Sequence, residues 1–299
     1  MAFENLIGNE EVKRILKQTI ESQKVLHSYL FLGKSGIGRF HFAKEFAKMI
    51  LCMQQENSPC SHCKSCIEFD SENHPDFQVI RPDGNAIKIE QIRQMSAKVI
   101  EKPIIAEKKV YLIDQSDKMT KEAQNCLLKT LEEPPSYIVI LLIAENESLI
   151  LNTIKSRCTK VNFKPIPDKE LENYLEQECQ MGPVTENQLQ MYGGSIGKAL
   201  ALKDKIEDYK VIEKIFASMP SKDLVEILNQ KSELTKNKEE IFEVLDYIIV
   251  VLFHLSKNKH QYMKGIPIVE DTKQRLKQNS NFDMCMDHLL LRVWEEVRA

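Results

Sequence analysis

The sequence lacks any apolar run long enough to cross a membrane. Its most apolar stretch near the C-terminal end, Tyr247 to Phe253, has only seven residues and follows Glu243 and Asp246, whereas a membrane span needs about 20. We therefore predict a buried helix there. The first residues also lack an apolar segment and carry Glu4 and Glu10, which is not typical of a signal peptide. We expect a cytoplasmic protein with no membrane association.

An excess of basic residues is also missing. The 41 Lys and Arg residues are outnumbered by 44 Asp and Glu residues, which gives a formal charge of −3. Overall charge therefore does not indicate nucleic-acid binding. No low-complexity tract interrupts the 299 residues, of which 42% are hydrophobic, so nearly the whole chain can form packed cores. Because single domains commonly have about 100 to 200 residues, we expect two or three domains.

Short apolar runs alternate with helical patterns in the first half of the chain and predict an α/β fold. The predicted helices include Ile89 to Ile100 and Lys121 to Glu132. Helices that separate consecutive strands indicate a mostly parallel sheet covered by helices. The predicted strands are Ser28 to Leu32, Asp76 to Ile80, Val110 to Ile113, Tyr137 to Ile143 and Lys160 to Phe163.

Strand patterns disappear after Lys164, where Pro165 and Pro167 interrupt the sequence. We predict an α/β domain over residues 1–163, a small helical domain over 164–208 and a third, all-helical domain over 209–299. The helices predicted in the third domain are Leu224 to Leu234, Ile241 to Leu255 and Met284 to Val297.

A glycine-punctuated loop follows the first predicted strand and opens a helix. It contains Gly33, Gly36 and Gly38 and ends in Arg39 and Phe40. In this setting backbone N–H groups and a helix N-terminus hold phosphates, and the loop normally ends in Lys followed by Ser or Thr. Arginine could still meet a phosphate, but phenylalanine has no oxygen to offer a metal ion. A plain glycine turn between strand and helix remains the alternative.

A second apolar strand ends in an acid, as the magnesium-binding strand of phosphate-loop ATPases does. The acid is Asp114, and Gln115 follows it. Active ATPases of this kind place Glu at that next position to activate water, and glutamine cannot accept a proton as a carboxylate does. The alternative is that Asp114 is an ordinary residue at a strand end.

Four cysteines lie close together in the pattern Cys-x7-Cys-x2-Cys-x2-Cys at Cys52, Cys60, Cys63 and Cys66. Four thiolates at this spacing can complete a tetrahedral zinc shell, which makes the predicted site structural. An iron–sulfur cluster or buried thiols are the alternatives. A zinc module that binds nucleic acid is disfavoured, because the loop carries only Lys64 as a permanently charged base and has no aromatic stacking residue. The remaining cysteines, predicted to be packing residues, are Cys126, Cys158, Cys179 and Cys285.

The segment Ser156-Arg157-Cys158 follows a predicted strand and a short helical pattern. An arginine at a helix end usually faces solvent or pairs with an acid. Supplied to a neighbouring subunit, it can instead neutralise charge that develops on a γ-phosphate. The residues alone leave both interpretations open.

Together these segments resemble the clamp-loader branch of the AAA+ family, from the N-terminus to about Leu200. The resemblance implies that Arg157, with Ser156 and Cys158, acts in trans as an arginine finger toward ATP bound by an adjacent subunit. Further segments that carry the resemblance are His27-Ser28-Tyr29-Leu30-Phe31, Asn73-His74-Pro75-Asp76 and Leu127-Leu128-Lys129-Thr130-Leu131-Glu132-Glu133-Pro134-Pro135.

The chain departs from the hydrolysing members of this branch at several positions. Arg39 and Phe40 replace the Lys-Thr pair, Gln115 replaces the catalytic Glu, and Gly197 stands where a sensor arginine is expected, with Lys198 one place away. The resemblance therefore implies a subunit that assists hydrolysis without binding ATP productively. A hydrolysing gamma/tau-type subunit that uses a variant loop is the alternative.

The resemblance also implies an architecture and partners. An AAA+ domain with a structural zinc module at 52–66 would precede a helical lid and a C-terminal helical collar that mediates oligomerisation. The expected assembly is an open ring of five subunits that contains gamma/tau and delta subunits. Such a ring opens the beta sliding clamp and places it on primer-template DNA during replication.

Overall fold

The computed structural model describes residues 3–54, 58–236 and 238–298. Within these residues the chain forms two compact units. The first comprises the described part of Met1–Tyr174 together with Gly194–Gly197, and the second comprises Leu175–Gly193 and the described part of Lys198–Ala299. The division into three domains stays a prediction.

The first unit contains a five-stranded sheet in the order β2-β3-β4-β1-β5. All neighbouring strands pair in parallel, which confirms the predicted α/β class. The strands are β1 (Ser28–Leu32), β2 (Phe77–Ile80), β3 (Lys109–Ile113), β4 (Ile138–Ala144) and β5 (Thr159–Asn162).

The helices of this part either precede β1 or lie in the crossover connections that parallel neighbouring strands require. They are α1 (Glu10–Glu21), α2 (Arg39–Leu51), α3 (Lys64–Asp70), α4 (Ile89–Val99), α5 (Lys121–Glu132) and α6 (Asn152–Lys155). The helices after β5 are α7 (Asp168–Gln177), α8 (Glu186–Tyr192), α9 (Ile196–Ala201), α10 (Ile206–Ser218), α11 (Leu224–Asn229), α12 (Lys231–Leu234), α13 (Ile241–Ser256), α14 (Gly265–Lys277) and α15 (Phe282–Arg298). Short 3-10 turns lie at Ser116–Lys118, Glu147–Leu149, Lys203–Lys205, Met219–Ser221, Lys238–Glu240 and His260–Lys264.

Both faces of the sheet are buried. Along β4, Leu141 packs into the apolar cluster on one face, with Phe42 and Phe46 of α2. Its neighbour Ile140 packs into the cluster on the other face, with Leu127 of α5. Because successive side chains point to opposite faces of a strand, a strand covered on both sides is apolar throughout. This explains the uninterrupted apolar runs of the sequence.

The strand register brings the carboxyl ends of β1, β3 and β4 to one edge of the sheet. Leu32 lies beside Ala144 in the β1–β4 pair, and Ile113 lies beside Leu142 in the β3–β4 pair. In open parallel sheets this edge is where ligands bind. The loops that follow these strands therefore meet at one place.

The second unit is helical. Helix α13 contains the predicted buried run and is itself buried through Leu245, Ile248 and Leu252. A polar network also stabilises this unit, since the Glu213 carboxylate accepts hydrogen bonds from Tyr247 (2.6 Å) and Asn187 (2.9 Å). Among the residues that the structure describes, none of the helices combines the length and apolarity that crossing a bilayer requires.

Candidate nucleotide loop, metal centre and arginine finger

The loop between β1 and α2 contains the three glycines of the predicted phosphate-binding loop. Gly33 directly follows β1, and Gly38 caps the N-terminus of α2. Gly36 and Gly38 have φ angles of 73° and 91°, which residues with a side chain rarely adopt. Helix α2 begins at Arg39, so the predicted strand, loop and helix are all present.

The Arg39 side chain is turned toward the sheet. The residue is only 9% exposed, and its guanidinium Nη1 donates a hydrogen bond to the carbonyl oxygen of Ala144 at the end of β4. Burial lowers the pKa of Arg39, whereas the nearby negative charges of Glu145, Asp117 and Asp114 raise it. The Arg39 cation is therefore held within an acidic environment at the carboxyl edge of the sheet.

Phe40 and Asp114 are bridged by an arginine that the sequence did not indicate. The Arg81 guanidinium carbon lies 4.8 Å from the centroid of the Phe40 ring, within the range of a cation–π contact. The Nε atom of the same side chain lies 3.7 Å from Asp114 Oδ2. The Arg81 side chain thus packs on Phe40, which stands in place of the loop hydroxyl, and also pairs with Asp114.

The acid motif lies where the sequence predicts it. Asp114 follows β3, and its backbone N–H donates to the carbonyl of Ile80 at 2.9 Å. Gln115 is exposed and has a φ angle of 53°. Its amide offers no carboxylate to activate water.

Gly197 contacts the phosphate-loop backbone directly. Its N–H donates to the carbonyl oxygen of Gly36 at 2.9 Å. A Cβ atom at position 197 would lie 2.9 Å from the Cα atom of Gly36, so a sensor arginine does not fit there in this conformation. The adjacent Lys198 places its Nζ atom 3.7 Å from the sulfur of Met191.

The four predicted cysteine ligands come together. Their sulfur atoms all lie within 4.8 Å of one another, and those of Cys60 and Cys66 are 3.9 Å apart. A tetrahedral site with Zn–S bonds of about 2.3 Å has sulfur atoms roughly 3.8 Å apart. The cluster formed by Cys52, Cys60, Cys63 and Cys66 could therefore hold a metal ion.

Backbone groups around this cluster point at the sulfur atoms. The N–H groups of Cys60, Cys63 and Cys66 lie 3.3–3.4 Å from the sulfurs of Cys52, Cys60 and Cys63, respectively. Such donors stabilise thiolates, the form that binds metal. His62 directs its Nδ1 atom to the Cys60 carbonyl oxygen at 2.6 Å.

The Asn-His-Pro-Asp segment anchors this region, a role that the sequence did not indicate. His74 Nε2 lies 2.8 Å from Ser65 Oγ, which donates to the carbonyl of Leu51 at the end of α2. His74 Nδ1 accepts the Asp76 backbone N–H, and burial lowers the pKa of His74. The buried Asp76 carboxylate accepts three backbone N–H groups from residues 104–106. A neutral histidine thus links the cysteine segment to the sheet.

Arg157 follows α6 and remains 35% exposed at its side chain. Its backbone carbonyl accepts the Ser28 hydroxyl at 2.7 Å, which ties the segment to β1. Its Nη1 donates to the Thr153 carbonyl at 2.9 Å, and its Nη2 lies 2.8 Å from Glu132. The structure therefore shows an arginine that is anchored at its backbone and paired with an acid at its head group.

The residues on either side of Arg157 differ in environment. Ser156 is exposed and donates to the Thr153 carbonyl at 3.0 Å. Cys158 is buried, and burial raises its pKa to about 11, which is consistent with a packing role. Cys285 is also buried, whereas Cys126 and Cys179 are only half-buried.

The five-stranded parallel sheet, with its loops at the carboxyl edge, has the fold of AAA+ clamp-loader proteins. The gamma subunit-related protein of Thermotoga maritima aligns with a TM-score of 0.50 and 20% identity, over 96% of this chain and 99% of that one. A family model described as "DNA polymerase III, delta subunit" matches residues 8–167, more than half of the chain. The chain belongs to this family.

Curated relatives agree with this assignment. DNA polymerase III subunit delta' of Bacillus subtilis is 29% identical over 95% of this chain and 95% of its own length. Subunit delta' of Pseudomonas aeruginosa is 36% identical over 45% of this chain and 42% of its own length. Subunit gamma/tau of Mycoplasma genitalium is 26% identical over 98% of this chain, but only 53% of that protein is covered.

Proposed function

We propose that this chain is the delta-prime subunit of the DNA polymerase III clamp loader and supplies Arg157 to ATP held by a neighbouring subunit. The observation that carries the proposal is the combination at Arg157 of an anchored backbone and a part-exposed guanidinium. A planar guanidinium offers paired donors to phosphate oxygens. The similarity to delta' proteins over nearly the full chain supports the assignment.

In this proposal the chain has no ATPase activity of its own. Phe40 lacks the hydroxyl that binds the metal ion, and Gln115 lacks the carboxylate that orients water. Gly197 lacks the side chain that senses phosphate. These three changes affect different steps of one reaction, so a single compensating residue would not restore hydrolysis. The chain then acts as a stationary member of the DNA polymerase III holoenzyme.

The proposed partners follow from this role. Gamma/tau and delta subunits would complete a hetero-pentamer, which would load the beta sliding clamp onto primer-template DNA. The cluster of Cys52, Cys60, Cys63 and Cys66 would hold one structural zinc ion. With four sulfur ligands no coordination position is left for a substrate, so the metal would stabilise the segment between α2 and α3.

The arginine-finger role is tested by Arg157→Ala in a loader reconstituted with gamma/tau and delta subunits. We expect the variant to assemble, because the head group of Arg157 contacts only Thr153, Ser156 and Glu132 among described residues. Single-turnover ATP hydrolysis at the site that faces Arg157 should fall at least tenfold, since arginine fingers typically contribute about 10³–10⁵ to turnover.

Lys160→Ala is the matched control for this experiment. Lys160 is an exposed cation near Arg157 in the sequence and pairs with Glu147 at 2.6 Å. Its removal should leave hydrolysis unchanged, and assembly of both variants is checked by size-exclusion chromatography. Normal hydrolysis in an assembled Arg157→Ala loader would remove Arg157 from the proposed role.

A further inference from the structure

Three acidic residues follow β3 and β4 near the carboxyl ends of these strands. Asp114 directly follows β3, and Glu145 directly follows β4. Asp117 lies beside the end of β4, because its Oδ2 atom accepts the backbone N–H of Asn146, the residue after Glu145, at 3.1 Å. Like charges around one site repel one another unless a cation balances them. In nucleotide-binding proteins of this class, magnesium and a lysine supply that positive charge.

In this chain Arg39 approaches the three acids from α2. Its guanidinium is bonded to the carbonyl of Ala144, the residue directly before Glu145. The side chain is buried, and burying an unpaired cation would be costly. Burial lowers the pKa of Arg39, and the negative charges of Glu145, Asp117 and Asp114 act in the opposite direction, so they offset part of this cost.

Arg81 approaches the same cluster from the end of β2. Its Nε atom lies 3.7 Å from Asp114 Oδ2, and its guanidinium lies over the Phe40 ring. Phe40 thus gives Arg81 a surface to pack on at the position where a metal-binding hydroxyl is absent. The carbonyl oxygen of Gly36, within the same loop, accepts a hydrogen bond from the N–H of Gly197.

We propose that Arg39 and Arg81 are built-in cations that take the place of the metal ion and the phosphate-binding lysine at this edge of the sheet. The loop then keeps its shape without any ligand, because the two arginines balance two of the three negative charges that follow β3 and β4. This inference concerns the isolated chain and is independent of the partner that Arg157 serves.

The test uses Arg39→Gln, a polar substitution without charge, in the full chain. If Arg39 is a counter-cation, its loss exposes the three acids to mutual repulsion, and a divalent cation should compensate. We expect a lower melting temperature than wild type and a recovery of about 2 °C or more in millimolar Mg²⁺. Wild-type protein should not respond to Mg²⁺ beyond its response to KCl at equal ionic strength.

A second variant makes the response specific. Adding Asp114→Asn to Arg39→Gln should abolish the recovery in Mg²⁺, because it removes one of the acids. Arg81→Gln is an independent test variant. It is expected to fold, since the Arg81 side chain is 59% exposed. Its melting temperature should rise less in Mg²⁺ than that of Arg39→Gln. A loss of stability in which neither Arg39→Gln nor Arg81→Gln responds to Mg²⁺ would show that the arginines only pack. An Arg39→Gln protein as stable as wild type would also overturn the proposal.

Discussion

Arg39 and Arg157, two arginines of the first unit, differ in burial and in hydrogen-bond partners. Arg39 is buried and bonded to the end of β4, whereas Arg157 is part-exposed and held by one carboxylate. An ion pair at this degree of exposure contributes only about 0.2–1 kcal/mol. Arg157 can therefore leave Glu132 at little cost, whereas displacing Arg39 would leave buried groups unpaired.

The pairing between Arg157 and Glu132 leads to a prediction for Glu132→Gln. In the proposed role of Arg157, the Glu132 carboxylate and a neighbour's γ-phosphate would compete for the same guanidinium. Removing the carboxylate charge while keeping the side-chain shape should make the finger more available. We expect the half-saturating ATP concentration of the reconstituted loader to fall by about two- to fivefold, which corresponds to the strength of an exposed pair. Steady-state hydrolysis as a function of ATP concentration measures this shift.

Glu133→Gln is the control for Glu132→Gln, since Glu133 lies beside it and is likewise exposed. It should leave the ATP dependence unchanged. A fall in maximal hydrolysis with Glu132→Gln, like that expected for Arg157→Ala, would mean instead that Glu132 positions the finger.

At the residue scale, the sequence did not predict the contact partners of the site residues, and the loss of ATP chemistry stays a prediction. Phe40 and Gln115 could be interpreted because each lacks an atom that the reaction needs. Arg81 and Glu132 were missed as partners, because their contacts with Asp114 and Arg157 join positions far apart in the chain. Such pairs are set by packing of the sheet and leave no spacing pattern in the sequence.

At the scale of elements, the segment between α2 and α3 depends on its cysteines. It joins two helices through Cys52, Cys60, Cys63 and Cys66, and Cys63 caps α3 through its sulfur. We predict about one zinc per chain in purified protein, measured by atomic emission spectroscopy. Cys60→Ser should lower the zinc content to below half, because it removes one of four ligands.

Cys126→Ser is the control for this prediction, because Cys126 lies outside the cluster and should not affect zinc content. Removal of the metal by a chelator should also make the cysteine segment more sensitive to protease than the zinc-bound protein. A folded wild-type chain that contains no zinc, or that contains iron and sulfide instead, would contradict the assignment.

The sequence predicted strands more accurately than the helices of the second unit. Each predicted strand lies within about one residue of the observed one, because burial on both faces produces a continuous apolar run. Helix α14 was missed, since Gly265 and Pro267 at its start resemble a loop. Proline is tolerated in a first helical turn, and Gly265 fits close to Leu252, where a Cβ atom would lie 3.0 Å from a side-chain carbon.

At the scale of the whole molecule, the proposed role requires the framework of the fold to position Arg157 and does not require turnover by this chain. Arg157 is tied to β1 through Ser28, and β1 is paired on both sides with β4 and β5. Because the backbone of Arg157 is attached to β1, its position in the proposed role depends on a rigid sheet. Arginines that stabilise the loop edge without nucleotide would provide that rigidity in every state of a partner's ATP cycle.

The stability of the whole chain should therefore not depend on nucleotide. A ligand at 100 times its dissociation constant stabilises a protein by about 2.7 kcal/mol, which would raise the melting temperature by roughly 5–10 °C for a unit of this size. We expect no such shift with millimolar Mg²⁺–ATP, measured by differential scanning calorimetry.

A gamma/tau subunit with an intact loop is the positive control. A comparable shift for this chain, together with turnover, would favour the alternative in which it is a hydrolysing gamma/tau-type subunit. A shift without turnover would leave Arg157 in its proposed role, but it would show that the loop edge still admits nucleotide.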